Sequence, residues 1–493
     1  MPSLLAASLA VVAFAVVFIA MRVLERAQLI SRRALQGVSA ILDPELSDED
    51  KERAAQQSAM ALFGGSFDLV WRCGLALLAA ASPVYLAQWI GLATLEDTWR
   101  WMLDLRFLAV VTVIAFTPLL LRRRPAGDQA DAAEEGADAY SPTDRFFHEL
   151  AFSGPRMLHG LARVDDRLHA RAIAATPPPR PVFITSLARA GTTALLNAFD
   201  AVPGTAMHRY RQMPFLASPL LWKRMGAYKK RKVERRQRAH GDGLEIDLDT
   251  PEAFDEVFWQ LFWPEHYEES GIRLWSKEEL SGEASAFFDR HMRKIVLVDG
   301  NGEPTARYFS KNNANIARLA LLPRMFPQGA IIVPVRRPGP HAASLHRQHK
   351  NFLAQHRKDA FTKRYMRDIG HLEFGELHRP LCFPGVGDAP QAPEHIDYWL
   401  HYWISVFRAV RDHAPHCHFV LQDDLRAAPA ETMGALCDAI DLPLALTDFR
   451  SYFRDTPDAE PTDALDPALK AEADALYEEL ATYSIRENRK PRQ

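Results

Sequence analysis

Arg189, Ala190, Gly191, Thr192 and Thr193 stand between an apolar run, Val182 to Thr185, and a stretch patterned as a helix. A strand-loop-helix unit of this kind presents the amides of the helix start to an anion, and the helix dipole favours negative charge there. Gly191 permits close backbone approach, the two threonines add hydroxyl donors, and Arg189 brings a cation. The nucleotide-triphosphatase loop, GxxxxGK followed by Ser or Thr, is not met: Ser186 stands at its first Gly position and Thr192 at its Lys position. Further on, the strand-like run Ile331 to Val335 ends in Arg336 and Arg337, with Pro338 behind them and Ser344 two helical turns later. A guanidinium at a strand end offers phosphate a bidentate fork, and a hydroxyl on the following helix closes the other side.

Together the two constellations resemble the donor-binding motifs of sulfotransferases that use 3′-phosphoadenosine 5′-phosphosulfate (PAPS). The first is similar to their 5′-phosphosulfate loop, carried here by Arg189 to Thr193, and the second to their 3′-phosphate motif, carried by Arg336 and Ser344. The Asp that many members place before the Ser is absent, with His341 and its neighbours in that stretch, and Arg337 is an alternative phosphate ligand to Arg336. Tyr308 to Asn313 and Val420 to Pro429 add to the likeness, which spans about Arg180 to Leu442. The resemblance implies PAPS as co-substrate, no metal, and in-line transfer of a sulfuryl group to a hydroxyl or amine. It also implies that Arg189 and the amides of residues 190–193 meet the charge developing on the bridging oxygen. Lys311 is the candidate second cation. For the base, His208 comes first, because its ordinary pKa suits the task at neutral pH; Glu265, His266 and Asp299 are held in reserve. His346 and His349 share a helix face, but no carboxylate accompanies them and no metal site is expected. The rival readings are a P-loop kinase or NTPase with a degenerate loop and a non-catalytic membrane scaffold.

To position these residues, short apolar runs must alternate with helices. Val182 to Thr185, Lys294 to Val298, Ala330 to Val335 and His418 to Leu421 read as strands of an α/β fold, a P-loop-like parallel sheet flanked by helices. Asp299 would then close a strand.

The first 124 residues have another character. Leu4 to Met21, Cys73 to Leu92 and Leu105 to Leu121 read as hydrophobic helices, with an amphipathic helix starting near Ser47 to Asp50. Arginines at 22, 26, 32, 33 and 122–124 place the following segments, and so the catalytic domain, in the cytoplasm. Residues 125–140 read as a linker and 141–493 as the catalytic domain. The net charge of −3 excludes a generally basic nucleic-acid coat, and the four cysteines form no metal-type spacing. The basic stretch from Trp222 to His240 suits anionic headgroups or a solvated face. The aromatic stretch from Phe254 to Trp275 reads as core packing or as the wall of an acceptor pocket. The expected partners are the membrane and an acceptor that is a small molecule, a lipid or a lipid-linked glycan.

Overall fold

A computed structural model describes residues 2–23, 26, 48–102, 104, 107, 148, 151–152, 154–224, 236–237, 245–246, 249–252, 254–300, 302–303, 305–444, 447–453 and 465–487. Its chain divides into two units, Met1–Ala133 and Glu134–Gln493.

In the second unit the strands are β1 (Val182–Ile184), β2 (Thr205–Met207), β3 (Arg307–Lys311), β4 (Ala330–Val335) and β5 (His418–Leu421). They form one five-stranded parallel sheet in the order β2-β3-β1-β4-β5. Val182 pairs with Phe309 on one side and Ala330 on the other, so β1 lies at the centre. Alternation along the strands sorts the core into two layers. Val182, Ile184, Phe309 and Ile332 face helices α1 (Thr192–Asp200), α6 (Gln422–Ala427) and α7 (Pro429–Ala439). Phe183, Tyr308, Ile331 and Val333 face a larger cluster built on α2 (Glu256–Phe262), α3 (Gly282–Asp299), α4 (Pro338–Lys358), α5 (Ile396–Arg411) and α8 (Pro467–Ala481).

One expected strand is a helix. Lys294 to Val298 lies in α3, whose start is capped by Ser281 Oγ accepting from the Ala284 amide at 3.2 Å. The run Ile295, Val296, Leu297 and Val298 imitates a strand because this part of the helix is buried on more than one side. Even Lys294 is enclosed there, neutralised by Asp166 at 2.9 Å and donating to the Ala217 carbonyl at 3.0 Å. Asp299 therefore ends a helix. Its carboxylate accepts from the Met207 amide at 2.9 Å and from Arg209, which fastens α3 to the end of β2. The strands β2 and β3, which sequence patterning did not mark, fill that side of the sheet.

In the first unit, Pro2–Ala20, Asp48–Trp89 and Leu95–Met102 are helices. The expected amphipathic helix and second apolar stretch are one continuous helix, with Pro83 inside it. Arg72 on that helix pairs with Asp68 at 2.9 Å and donates to the Met21 carbonyl at 2.7 Å. Phe67–Trp89, 23 residues of mean hydropathy 1.5, is long and apolar enough to cross a membrane; Pro2–Phe18 is apolar but shorter. The third apolar stretch, the arginines at 122–124 and the linker at 125–140 lie outside the described residues apart from Phe107, as does most of the basic stretch.

Candidate functional site

The loop after β1 is shaped by two left-handed residues, Arg189 at φ 70° and Gly191 at φ 93°. Left-handed residues so spaced turn successive amides toward one concave side, the arrangement that receives anions. Gly191 is the residue preceding α1, and a Cβ there would come within 3.2 Å of Gln422 Nε2. The left-handed turn requires glycine at this position, while the end of the Gln422 side chain would have to give by only a few tenths of an ångström.

The second constellation folds onto the first. Arg336, just past β4, donates from Nη1 to the Arg189 carbonyl at 3.1 Å. Ser344, buried on α4, accepts from Arg189 Nε at 3.3 Å. His341, one turn earlier, has Nε2 at 2.7 Å from the Ala188 carbonyl. It thus occupies the stretch where the resemblance would place an acidic residue, and it clasps the loop backbone. Arg337 points elsewhere: its Nε donates to Asp423 at 2.7 Å and its guanidinium lies 5.2 Å from the centre of the Tyr477 ring. Between the two candidate phosphate ligands, Arg336 is the one joined to the loop.

Arg189, Thr192, Thr193, Lys311, Asn313 and Glu373 line one cavity. Lys311, the last residue of β3, is buried and 3.5 Å from Glu252 Oε1, while Tyr210 donates to Glu252 Oε2 at 2.7 Å. Asn313 ties the wall together. Its Oδ1 accepts from Thr192 Oγ1 at 3.2 Å and its Nδ2 donates to Glu373 Oε1 at 3.1 Å. Behind it, Asn312 Nδ2 donates to Glu256 at 2.7 Å, and Glu256 is paired with Arg318 at 2.8 Å. The Arg318 guanidinium is sandwiched by Trp259 and Trp275, 4.4 and 4.1 Å from the ring centres. Most rings of the 254–275 stretch therefore belong to the core, where they brace the segment that presents Lys311 and Asn313.

His208 is not part of this wall. It is buried, with Nδ1 at 2.5 Å from Gln212 Oε1 and Nε2 at 3.0 Å from His291 Nε2 and 3.3 Å from Asp255 Oδ1. Burial, with the nearby His208 and Lys294, holds His291 well below the ordinary imidazole range. Burial works to raise the Asp255 carboxyl, but the hydrogen bond and charge of His208, with Tyr308 donating and the Ser310 hydroxyl close by, bring it below its usual value. His266 is likewise internal, stacked on Trp275 and bound to Glu279 at 2.7 Å, and Glu265 and Asp299 are absent from the cavity lining. His346 Nε2 lies 2.6 Å from the Glu394 carbonyl, and His349 Nδ1 accepts from the Gly375 amide at 3.2 Å. Glu373 and His371, which sequence reasoning did not mark, stand in the wall instead. They sit in an irregular segment with no motif around them, so only the folded chain brings them to the loop.

Residues 181–379 match the model of a family described as the sulfotransferase family. Among solved structures the chain is similar to sulfotransferase STF9 from Mycobacterium avium, at 14% identity and TM-score 0.37, with 70% of this chain and 85% of that one covered. It is also similar to sulfotransferase STF1 from Mycobacterium tuberculosis H37Rv, at 16% identity and TM-score 0.37, covering 69% of this chain and 85% of that one. No curated protein matches.

Proposed function

Residues 181–379 belong to the sulfotransferase family, and from that premise we propose that the protein moves a sulfuryl group from PAPS to an acceptor hydroxyl or amine by in-line transfer. The observation that carries this reading is the convergence of Arg189, Arg336 and Ser344, from two distant stretches, on one loop. The concave amides of residues 190–193, with the Thr193 hydroxyl, suit the 5′-phosphosulfate end of the donor. Arg336 and Ser344 suit its 3′-phosphate. The donor supplies the sulfuryl group. Arg189 and Lys311 hold positive charge where the departing phosphate oxygen gains its negative charge, preorganised rather than recruited from solvent. Asn313 keeps Thr192 and the cavity wall in register.

Apolar side chains left exposed along one helix of the first unit, among them Phe67, Val70, Trp71, Leu78 and Trp89, support a membrane location for the protein. With the sulfuryl-transfer domain on the cytoplasmic side, a lipid or lipid-linked acceptor is within reach of the reading.

Calorimetric titration of the detergent-solubilised protein with adenosine 3′,5′-bisphosphate, beside ATP with Mg²⁺, tests the proposal. Bisphosphate binding that an Arg336→Ala, Ser344→Ala double variant loses supports it. Binding of ATP in its place returns the chain to the kinase reading.

A further inference from the structure

Glu373 borders two cavities. One is the loop cavity, with Arg189, Thr193 and Lys311. The other is walled largely by apolar side chains, Leu187, Ile272, Leu345, Leu372 and Trp399 among them. The two share Ala188, Asn313, Glu373 and Phe374, and of these only Glu373 has an ionisable side chain. Its Oε1 is fixed by Asn313 at 3.1 Å, and Oε2 has no hydrogen-bond partner among the described residues. The Ser186 hydroxyl, fully buried beside the apolar cavity, likewise lacks a partner there, an open capacity of the kind a ligand's polar atom fills. His378, in the same wall, donates from Nδ1 to the Glu373 carbonyl at 2.7 Å and accepts from Tyr398 at 2.9 Å, which steadies the backbone that carries Glu373.

We propose that Glu373 is the general base of the transfer and that the apolar cavity, about 30 Å³ in volume, receives the hydroxyl-bearing end of the acceptor, an alcohol or phenol carried on an apolar body. The inference rests on the sulfuryl-transfer reading above. The acceptor oxygen loses its proton to Glu373 Oε2 and forms a bond to sulfur. The bond between sulfur and the bridging oxygen breaks, and its electron pair stays on the 5′-phosphate of the departing adenosine 3′,5′-bisphosphate. No oxidant or reductant is involved. A carboxylate held between donor and acceptor cavities, with one oxygen anchored and the other open, is in the place that proton transfer requires. Asn313 is a positioning residue, since it acts through Glu373 and Thr192.

The test uses the full chain in detergent, with PAPS as donor and naphthol, dodecanol and glucose as acceptors, alongside bisphosphate titration. The expected result is sulfation of naphthol and dodecanol and not of glucose. In Glu373→Gln, bisphosphate affinity and the KM for naphthol stay near wild type, kcat falls by about 100-fold or more, and the acid limb of the kcat profile disappears. Retained bisphosphate binding shows that the variant is folded. A Glu373→Gln enzyme whose kcat stays within about threefold of wild type overturns the assignment. So does a wild-type enzyme that binds bisphosphate but sulfates glucose in preference to both apolar alcohols, or sulfates neither of them. A wild-type protein that binds no bisphosphate brings down the donor reading itself, a failure told apart from the others by the titration.

Discussion

Arg189 donates to Ser344 at 3.3 Å across 155 positions of sequence, so the loop after β1 and the helix after β4 share a hydrogen bond at the proposed donor site. Removing either partner should weaken bisphosphate binding. Hydrogen bonds to charged groups contribute about 1.5–3 kcal/mol, so Arg189→Ala or Ser344→Ala should lower affinity by roughly 10–100-fold in a calorimetric titration. The two losses should add to less than their sum, because the residues touch.

The neighbouring arginines should behave differently. Arg337 is engaged by Asp423 and lies over Tyr477, away from the loop, whereas Arg336 holds the Arg189 carbonyl. Arg337→Ala is expected to leave bisphosphate affinity within about threefold and Arg336→Ala to reduce it by at least about tenfold. Equal effects would mean that both guanidinium groups reach the ligand.

Gly191→Ala places a side chain on a residue at φ 93°, facing Gln422 Nε2. A left-handed non-glycine residue costs about 1–2 kcal/mol, and the end of the Gln422 side chain has to give to make room. The variant should melt a few degrees lower and bind bisphosphate more weakly, both readable in a thermal-shift series with and without ligand.

Glu256 and Arg318 form a buried pair with Tyr267 and Asn312 as further partners. Deleting one partner strands the other charge, which costs about 3–5 kcal/mol. Glu256→Ala should therefore lower the urea midpoint strongly, and through Asn312 it should also raise the KM for PAPS. A variant as stable as wild type would show that the pair braces nothing.

Burial, only partly offset by the hydrogen bond to the Glu373 carbonyl, pushes His378 down to about 4 from its ordinary 6.5. The sign follows from which state takes up the proton first. On acidification the unfolded chain protonates this ring near 6.5, while the native ring stays neutral until about 4, so its contribution to stability is lost across that window and levels off below it. Melting curves from pH 8 to about 4 should fall less steeply for His378→Asn than for wild type once the other histidines, common to both, are subtracted. Parallel curves would mean the ring titrates normally.

Much of the sheet and loop could be read from the chain because β1, β4 and β5 are short apolar runs bounded by Pro, Gly or charge, and the loop motif sits on β1. The α3 run failed for a physical reason: a helix buried on more than one side shows a strand's apolar density. β2 is three residues, too short to carry a period, and β3 mixes Arg307, Ser310 and Lys311 among its apolar residues although all five positions are buried. His208 has the right residue type at a plausible spacing, yet its partners Asp255 and His291 come from elsewhere in the chain and enclose it. Glu373 was invisible for the converse reason, since only the tertiary meeting of segments 186–193, 311–314 and 370–379 gives it a role.

The separation between Arg189 and Ser344 also bears on how the protein is made. A chain emerging from the ribosome has its anion loop long before β4 and the helix behind it are synthesised, and during that interval the loop lacks the Arg336 and Ser344 contacts. Sheet order deepens the delay, because β1 is central and its neighbours β3 and β4 are both late arrivals. The nascent protein should accordingly remain blind to nucleotide until β4 is inserted, and ligand capture on stalled ribosomes would mark the moment at which the sheet closes around its first strand.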